Sequence, residues 1–185
     1  ARYPGASVVC LCMNIAGAIK RTENIERAFS WGLRNVKAVL APCETLFDAA
    51  IHEKTGPEAM LCVRADARAI KRRLCALEDG EALGRLLDID VIAPDGGKIS
   101  RTEIGLPARR CLLCGNPAPV CARSRAHSAD ALFEKANAII DAHFEAAFAK
   151  RTAENAQRAL LFEVAVTPKP GLVDRHLKEQ RALLF

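Results

Sequence analysis

The sequence predicts an α/β or α+β domain in which a mixed sheet is flanked by helices. Three short runs rich in Val, Leu and Ile are separated by longer segments whose apolar residues recur at helical spacing. A Pro-Asp-Gly-Gly turn at residues 94–97 joins the third run to a short continuation and predicts one hairpin. Strands separated by helices in this way are typical of sheet domains that carry helices on their faces.

Residues 1–54 predict one strand followed by two helices. Residues 8–15 are almost entirely apolar and predict a buried strand. Thr22 precedes two acidic residues at the start of a periodic segment, so it is the expected N-cap of a helix that runs to about Leu40. Pro42 interrupts the chain, and a second helix is expected over residues 44–54.

The rest of the chain predicts three more strands, the last two forming a hairpin, together with a third helix and a long C-terminal helix. The expected elements are a strand at 59–63, a helix at 66–78 capped by Asp66, a strand at 86–93 and a short strand at 98–101. Ser128 is the expected N-cap of a helix with a long apolar stripe, and a new helical segment is expected from Thr152. We therefore predict one domain over residues 1–150, followed by a linker and the start of a second domain over 151–185.

Composition restricts the class of protein. Half of the 185 residues are hydrophobic and 26% are charged, which is an ordinary globular balance. No apolar run reaches the roughly 18 residues that a membrane span needs, and no basic leader precedes the apolar run near the start of the chain. Four of the eight cysteines lie among apolar neighbours, as core thiols do. We expect a cytoplasmic protein without a disulfide framework.

A pair of carboxylates in the third predicted strand gives the clearest indication of a reactive site. Asp88 and Asp90 are two residues apart, so in a strand their side chains lie on the same face. Adjacent carboxylates repel unless a cation lies between them, and Mg²⁺ binds through such carboxylates together with substrate phosphates. Gly84 permits close backbone approach, and Arg85 could neutralise phosphate charge. The alternative interpretation is a pair of exposed edge-strand carboxylates without a catalytic role.

Positive charge is concentrated in the following segment. Residues 98–127 hold six basic residues against one acidic residue, a surplus equal to the net charge of +5 of the whole chain. Such a segment suggests an anionic partner, which could be a phosphorylated small molecule, a nucleic acid or an acidic protein. A solvated surface with no partner is the alternative.

A cysteine and histidine cluster lies within this basic segment. Cys111, Cys114, Cys121 and His127 have the ligand types of a tetrahedral Zn²⁺ site, in which four protein ligands would make the metal structural. Two other interpretations fit the same residues. They could be reduced thiols without a metal, or the Cys-x-x-Cys pair could be redox-active.

These residues resemble the family of apo-citrate lyase phosphoribosyl-dephospho-coenzyme A transferases. The resemblance covers residues 4–150 and rests on these stretches in order: Gly84-Arg85-Leu86-x-Asp88-Ile89-Asp90-Val91, Ser100-Arg101, Leu106-Pro107-x-Arg109-Arg110-Cys111-Leu112-Leu113-Cys114 and Cys121-Ala122-Arg123-Ser124-Arg125-x-His127. The N-terminal portion of the family is expected to be missing. From Glu163 to Arg175 the chain resembles the opening of triphosphoribosyl-dephospho-coenzyme A synthase, which suggests the stub of a fused second enzyme.

The resemblance implies a nucleotidyltransferase-like domain that modifies the acyl carrier protein of citrate lyase. A serine of the carrier protein would attack the α-phosphorus of triphosphoribosyl-dephospho-coenzyme A and expel diphosphate. Asp88 and Asp90 would be catalytic and would hold Mg²⁺. The expected phosphate-binding residues are Gly84, Arg85, Arg101, Arg109, Arg110 and Lys20. No nucleic acid or membrane partner is expected.

Two rival functions stay open at the level of sequence. The basic segment and the cysteine cluster would also suit a small zinc-containing module that binds nucleic acid, although only 5% of the residues are aromatic and could stack on bases. An inactive fragment of the transferase is the second rival.

Overall fold

The computed structural model describes the backbone of residues 2–166 and the side chains of residues 2–158. Its strands are β1 (Ser7–Met13), β2 (Glu44–Glu53), β3 (Gly56–Arg64) and β4 (Leu87–Ile92). Its helices are α1 (Glu23–Leu40), α2 (Ala67–Gly80), α3 (Ala118–Ser124) and α4 (Ala129–Val166). Short 3₁₀ turns occupy Leu83–Leu86 and Thr102–Ile104. The chain divides into two compact units between His143 and Phe144, and every site residue discussed below belongs to the first.

The strands form one sheet in the order β2-β3-β1-β4, and every neighbouring pair is antiparallel. The predicted combination of a sheet and flanking helices is therefore confirmed, whereas the expected mixed pairing is not found. The reason lies in the crossovers. Helix α1 joins β1 to β2 across β3, and α2 joins β3 to β4 across β1, so an oppositely directed strand separates each parallel pair. This is the split βαβ, or ferredoxin-like, arrangement.

The helix predicted over residues 44–54 is wrong, because this segment is the edge strand β2. It pairs with β3 from Glu44 opposite Arg64 to Glu53 opposite Gly56. Gly56 has a φ of +115°, a conformation that favours glycine and lets the chain reverse tightly between the two strands. Cross-strand pairing along the whole segment overrides its weak local preference for helix.

The core lies between the sheet and the two helices α1 and α2. Alternate residues of β1, β3 and β4 point into it, among them Val9, Leu11, Leu61, Ile89 and Val91. The helices contribute Phe29, Val36, Ile70 and Leu74. Both predicted N-caps are confirmed: the Thr22 hydroxyl accepts from the Ile25 amide at 3.2 Å, and the Asp66 carboxylate accepts from the Ala69 amide at 2.8 Å.

The start of α4 belongs to the first unit. Ser128 caps it as predicted, accepting from the Ala131 amide at 3.1 Å. Ile140 is fully buried, and the His143 ring packs edge to face on Trp31 of α1, with 5.1 Å between the ring centroids. The separate helical segment expected from Thr152 is wrong, since α4 runs through this position without a break. The Thr152 hydroxyl donates to the Phe148 carbonyl of the same helix, so this side chain makes its hydrogen bond without any break in the helix.

The described part of the chain holds no helix long and apolar enough to span a bilayer. Of the predicted linker and synthase stub at residues 151–185, residues 167–185 lie outside the described part of the chain, and the synthase-like stretch at 163–175 lies outside the residues whose side chains are described.

Candidate active site

The two aspartates of β4 share the face of the sheet that points away from α1 and α2. Leu87, Ile89 and Val91 are buried in the core, whereas Asp88 is exposed and Asp90 is half-buried. In the antiparallel register, Cys12 lies opposite Asp88 and Cys10 lies opposite Asp90. The strand alternation expected from the sequence therefore sets the two carboxylates side by side.

The two carboxylates have different neighbours. Lys98 Nζ donates to Asp90 Oδ2 at 2.7 Å, and this hydrogen bond raises the pKa of Lys98. The Cys12 thiol lies 4.0 Å from Asp88 Oδ2. Burial, followed by the charge of Asp88, raises the pKa of Cys12 to about 11, so this thiol stays protonated at neutral pH. Asp90 is thus already paired with a cation, whereas Asp88 faces a neutral thiol.

A cavity of about 680 Å³ opens at the end of the sheet where β1 ends and β4 begins. Its volume lies within the range of small-molecule sites. Asn14, which follows β1 and is two residues beyond Cys12, is part of its wall. The basic and polar residues that line it include Arg85, Arg109, Arg110, Arg125, His127 and Ser128. The cavity therefore has an arginine-rich wall, and its lining includes Asn14 after β1 and Arg85 before β4 but neither Asp88 nor Asp90.

Arg101 and Arg109 are held by a buried carboxylate that the sequence analysis missed. Glu78 of α2 is only 1% exposed. It accepts from Arg101 at 2.9 Å, from Arg109, and from the Ile89 amide at 3.1 Å. Arg101 also bonds Asp79, and although burial opposes its charge, these carboxylates raise its pKa. Arg109 lines the cavity as well, whereas Arg101 does not.

The other predicted phosphate-binding residues are placed as follows. Arg85 donates to the Arg110 carbonyl, and both side chains line the cavity. Gly84 packs against the end of α2, where a Cβ atom would lie 2.3 Å from the Leu77 carbonyl oxygen. The close backbone approach at this glycine is therefore to helix α2. Lys20 donates to the Ile15 carbonyl and does not line the cavity.

The predicted cysteine and histidine cluster comes together at the cavity wall. One ligand atom from each of Cys111, Cys114, Cys121 and His127 lies within 4.8 Å of every other. Cys114 Sγ is 3.4 Å from Cys121 Sγ and 3.2 Å from His127 Nε2. Burial opposes ionisation of Cys111, but hydrogen bonds from the Leu113 and Cys114 amides and from the neighbouring thiols lower its pKa to about 7.

Local backbone geometry explains this convergence. Arg110 pairs with Pro117 in an isolated bridge, and Gly115, with a φ of +72°, closes the turn between them. Arg125 ends α3 in the left-handed conformation, and the Ala126 amide bonds the Cys121 carbonyl. These two turns direct His127 back toward the cysteines.

Comparison with known proteins identifies the family. The family model described as apo-citrate lyase phosphoribosyl-dephospho-CoA transferase matches residues 1–143. An Escherichia coli (strain SMS-3-5) protein of that name is 39% identical over 142 residues, which are 76% of this chain and 77% of the relative, and a Shigella boydii protein of that name matches equally well.

A longer relative matches more of this chain. The Haemophilus influenzae protein CitXG is 33% identical over 175 residues, which are 92% of this chain. The aligned part is only 36% of that relative. The family match over residues 1–143 and the 39% identity to its curated members show that the chain belongs to the apo-citrate lyase phosphoribosyl-dephospho-CoA transferases, a family of enzymes.

Proposed function

We propose that this chain transfers the phosphoribosyl-dephospho-coenzyme A group from its triphosphoribosyl precursor to a serine of the citrate lyase acyl carrier protein, releasing diphosphate. The observation that carries the proposal is an arginine-lined cavity at one end of the same sheet whose strand β4 presents the carboxylate pair. A triphosphate has the negative charge that such a wall attracts, and its α-phosphorus must lie where the acceptor hydroxyl can reach it.

Asp88 and Asp90 suit a divalent cation in their chemistry, since both present carboxylate oxygens on one face of β4. Bound there, Mg²⁺ would supply neutralisation of the charge on the triphosphate. Lys98 occupies only one oxygen of Asp90, so the other oxygen is left for a metal. Lys98 would also compensate part of the repulsion between the two aspartates before substrate binds.

The predicted phosphate-binding side chains fall into three groups by their contacts. Arg85 and Arg110 line the cavity and make their side-chain hydrogen bonds to backbone carbonyls, so we assign them to the phosphates. Arg109 lines the cavity but is also held by Glu78 and by the Leu87 carbonyl, so it would contact substrate from a fixed position. Arg101 and Lys20 would act indirectly, by holding the loops on either side.

We place the reaction in the reducing cytoplasm. All eight cysteines are free, and none forms a disulfide. Unbridged thiols in this number are typical of a reducing compartment.

The decisive experiment is intact-mass analysis of apo carrier protein. Incubation with the triphosphoribosyl precursor, Mg²⁺ and this chain should add the mass of the phosphoribosyl-dephospho-coenzyme A group, with release of one diphosphate. An unmodified carrier protein in the presence of well-folded chain would support the inactive-fragment alternative. Retention on DNA that weakens steeply with salt, without diphosphate release, would support the nucleic-acid alternative.

The carboxylates can be tested in the same assay. Asp88→Asn and Asp90→Asn should each lower the labelling rate by more than about 100-fold, because the charge that stabilises the reacting phosphates is lost. Asp95→Asn is the matched control, since Asp95 is a turn carboxylate that bonds the Gly97 amide and an asparagine can keep that bond. Full labelling by both strand variants would remove the pair from the mechanism.

A further inference from the structure

The segment that forms one wall of the cavity has almost no hydrophobic core of its own. Between residues 105 and 128 the structure holds one seven-residue helix, α3, and an isolated bridge. The only buried residues in this stretch are Cys111 and Cys121. Segments of this kind are usually stabilised by a disulfide or a metal, because burial alone does not offset the entropy of ordering them.

The four converging side chains have the geometry of a metal site. In tetrahedral zinc sites the Zn–S distance is about 2.3 Å and the Zn–N distance about 2.0 Å, so neighbouring ligand atoms lie roughly 3.5–3.8 Å apart. The Cys114–Cys121 and Cys114–His127 separations of 3.4 and 3.2 Å are close to these values. The 3.4 Å between the sulfurs is far too long for a disulfide, which needs about 2.0 Å.

We propose that Cys111, Cys114, Cys121 and His127 bind one Zn²⁺ ion, which fixes residues 109–127 as the wall of the cavity. Three thiolates and an imidazole are the ligands that zinc prefers. Four protein ligands leave no open position, so this metal is structural. Binding displaces the thiol protons to solvent, and the resulting centre carries a net charge of about −1.

The charge of the centre suits its surroundings. Arg110 precedes the first ligand, Arg125 precedes the last by two positions, and both line the same cavity as Arg85. A slightly negative centre in the same cavity wall as these side chains lowers their mutual repulsion. The zinc thereby sets the positions of the cavity arginines, and its four protein ligands leave no position open for a substrate atom.

Metal content tests the site directly. The 185-residue chain purified without chelator should contain about one zinc per chain. The metal-free chain should take up Co²⁺ with the absorption bands of a tetrahedral thiolate site. Cys114→Ser and the double variant Cys114→Ser/Cys121→Ser should lose both properties. Cys43→Ser is the matched control, because Cys43 is a partly buried free thiol outside the cluster, and it should keep them.

Each contrary result has a defined meaning. Equal zinc in the wild-type chain and the double variant would show adventitious metal and overturn the proposal. Absence of zinc and of cobalt uptake under reducing conditions would also overturn it. So would a Cys114–Cys121 disulfide, found as two missing thiols when all eight are counted in denaturant.

Limited trypsin digestion tests the role of the metal in the cavity wall. The zinc-loaded chain should resist cleavage after Arg109, Arg110, Arg123 and Arg125, and chelation should remove that protection while the thermal unfolding transition of the remaining domain persists. Identical digestion with and without metal would overturn the structural role. Neither experiment measures carrier-protein labelling, so its outcome is independent of the proposed function.

Discussion

Glu78 organises the site from beneath the sheet. Its carboxylate accepts a hydrogen bond from the Ile89 amide, and Lys71 of the same helix donates one to the Ile89 carbonyl at 2.5 Å. Ile89 lies between the two aspartates on β4, the edge strand of the described sheet, where the Val91 carbonyl accepts from the Ile99 amide at 2.8 Å but the outer backbone groups of Ile89 face α2 side chains. Two polar side chains of α2 therefore satisfy that edge and set the positions of Asp88 and Asp90.

Glu78→Gln should lower the free energy of unfolding by about 3 kcal/mol, because it removes the charged partner of the partly buried Arg109 and one of the two carboxylate partners of Arg101. Urea denaturation followed by circular dichroism measures the change. Glu81→Gln is the control, since Glu81 is an exposed partner of His143 and its loss should cost less than about 0.5 kcal/mol. A loss below about 1 kcal/mol for Glu78→Gln would show that the ion pairs contribute little.

At the scale of the element, α2 and the 3₁₀ turn that follows it make a close backbone contact at Gly84. A Cβ atom on Gly84 would lie 2.3 Å from the Leu77 carbonyl oxygen and 3.1 Å from that of Glu78. Both neighbours are backbone atoms, which cannot move aside as the end of a side chain can. Glycine at this position therefore lets the turn pack on the helix and places Arg85 at the cavity.

Gly84→Ala should destabilise the fold by about 1–3 kcal/mol through this overlap. Gly80→Ala is the matched control at the end of α2, where an added Cβ has no atom within 4 Å. That change should be neutral or stabilise by up to about 1 kcal/mol, since alanine favours helix. Equal thermal unfolding of the two variants would contradict the proposed contact.

At the scale of the whole molecule, two independent boundaries coincide. The family match ends at residue 143, and the first compact unit also ends at His143. The buried core residues of the described chain lie before this point, the last being Ile140. The transferase domain predicted over residues 1–150 contains all of them.

A chain that ends at Lys150 should therefore keep its cooperative thermal transition, with a midpoint within a few degrees of the full chain. Differential scanning calorimetry on both chains measures this, and the carrier-protein assay provides the functional comparison. Loss of the cooperative transition in the shorter chain would show that residues beyond 150 contribute to the fold of the domain.

The features that the sequence by itself determined depend on neighbouring residues. Strand alternation placed Asp88 and Asp90 on one face, and side-chain capping marked Thr22, Asp66 and Ser128 as helix starts. These rules follow from the geometry of adjacent backbone units, so a short stretch of sequence is enough to apply them.

Only the tertiary structure decided the features that join distant segments. It made residues 44–53 a strand by pairing them with β3, and it brought Arg101 and Arg109 onto Glu78, more than 20 residues away. It also placed the arginines beside the cysteine cluster in one cavity wall. Such contacts arise where packing of the whole chain outweighs local preference, and no window of neighbouring residues contains that information.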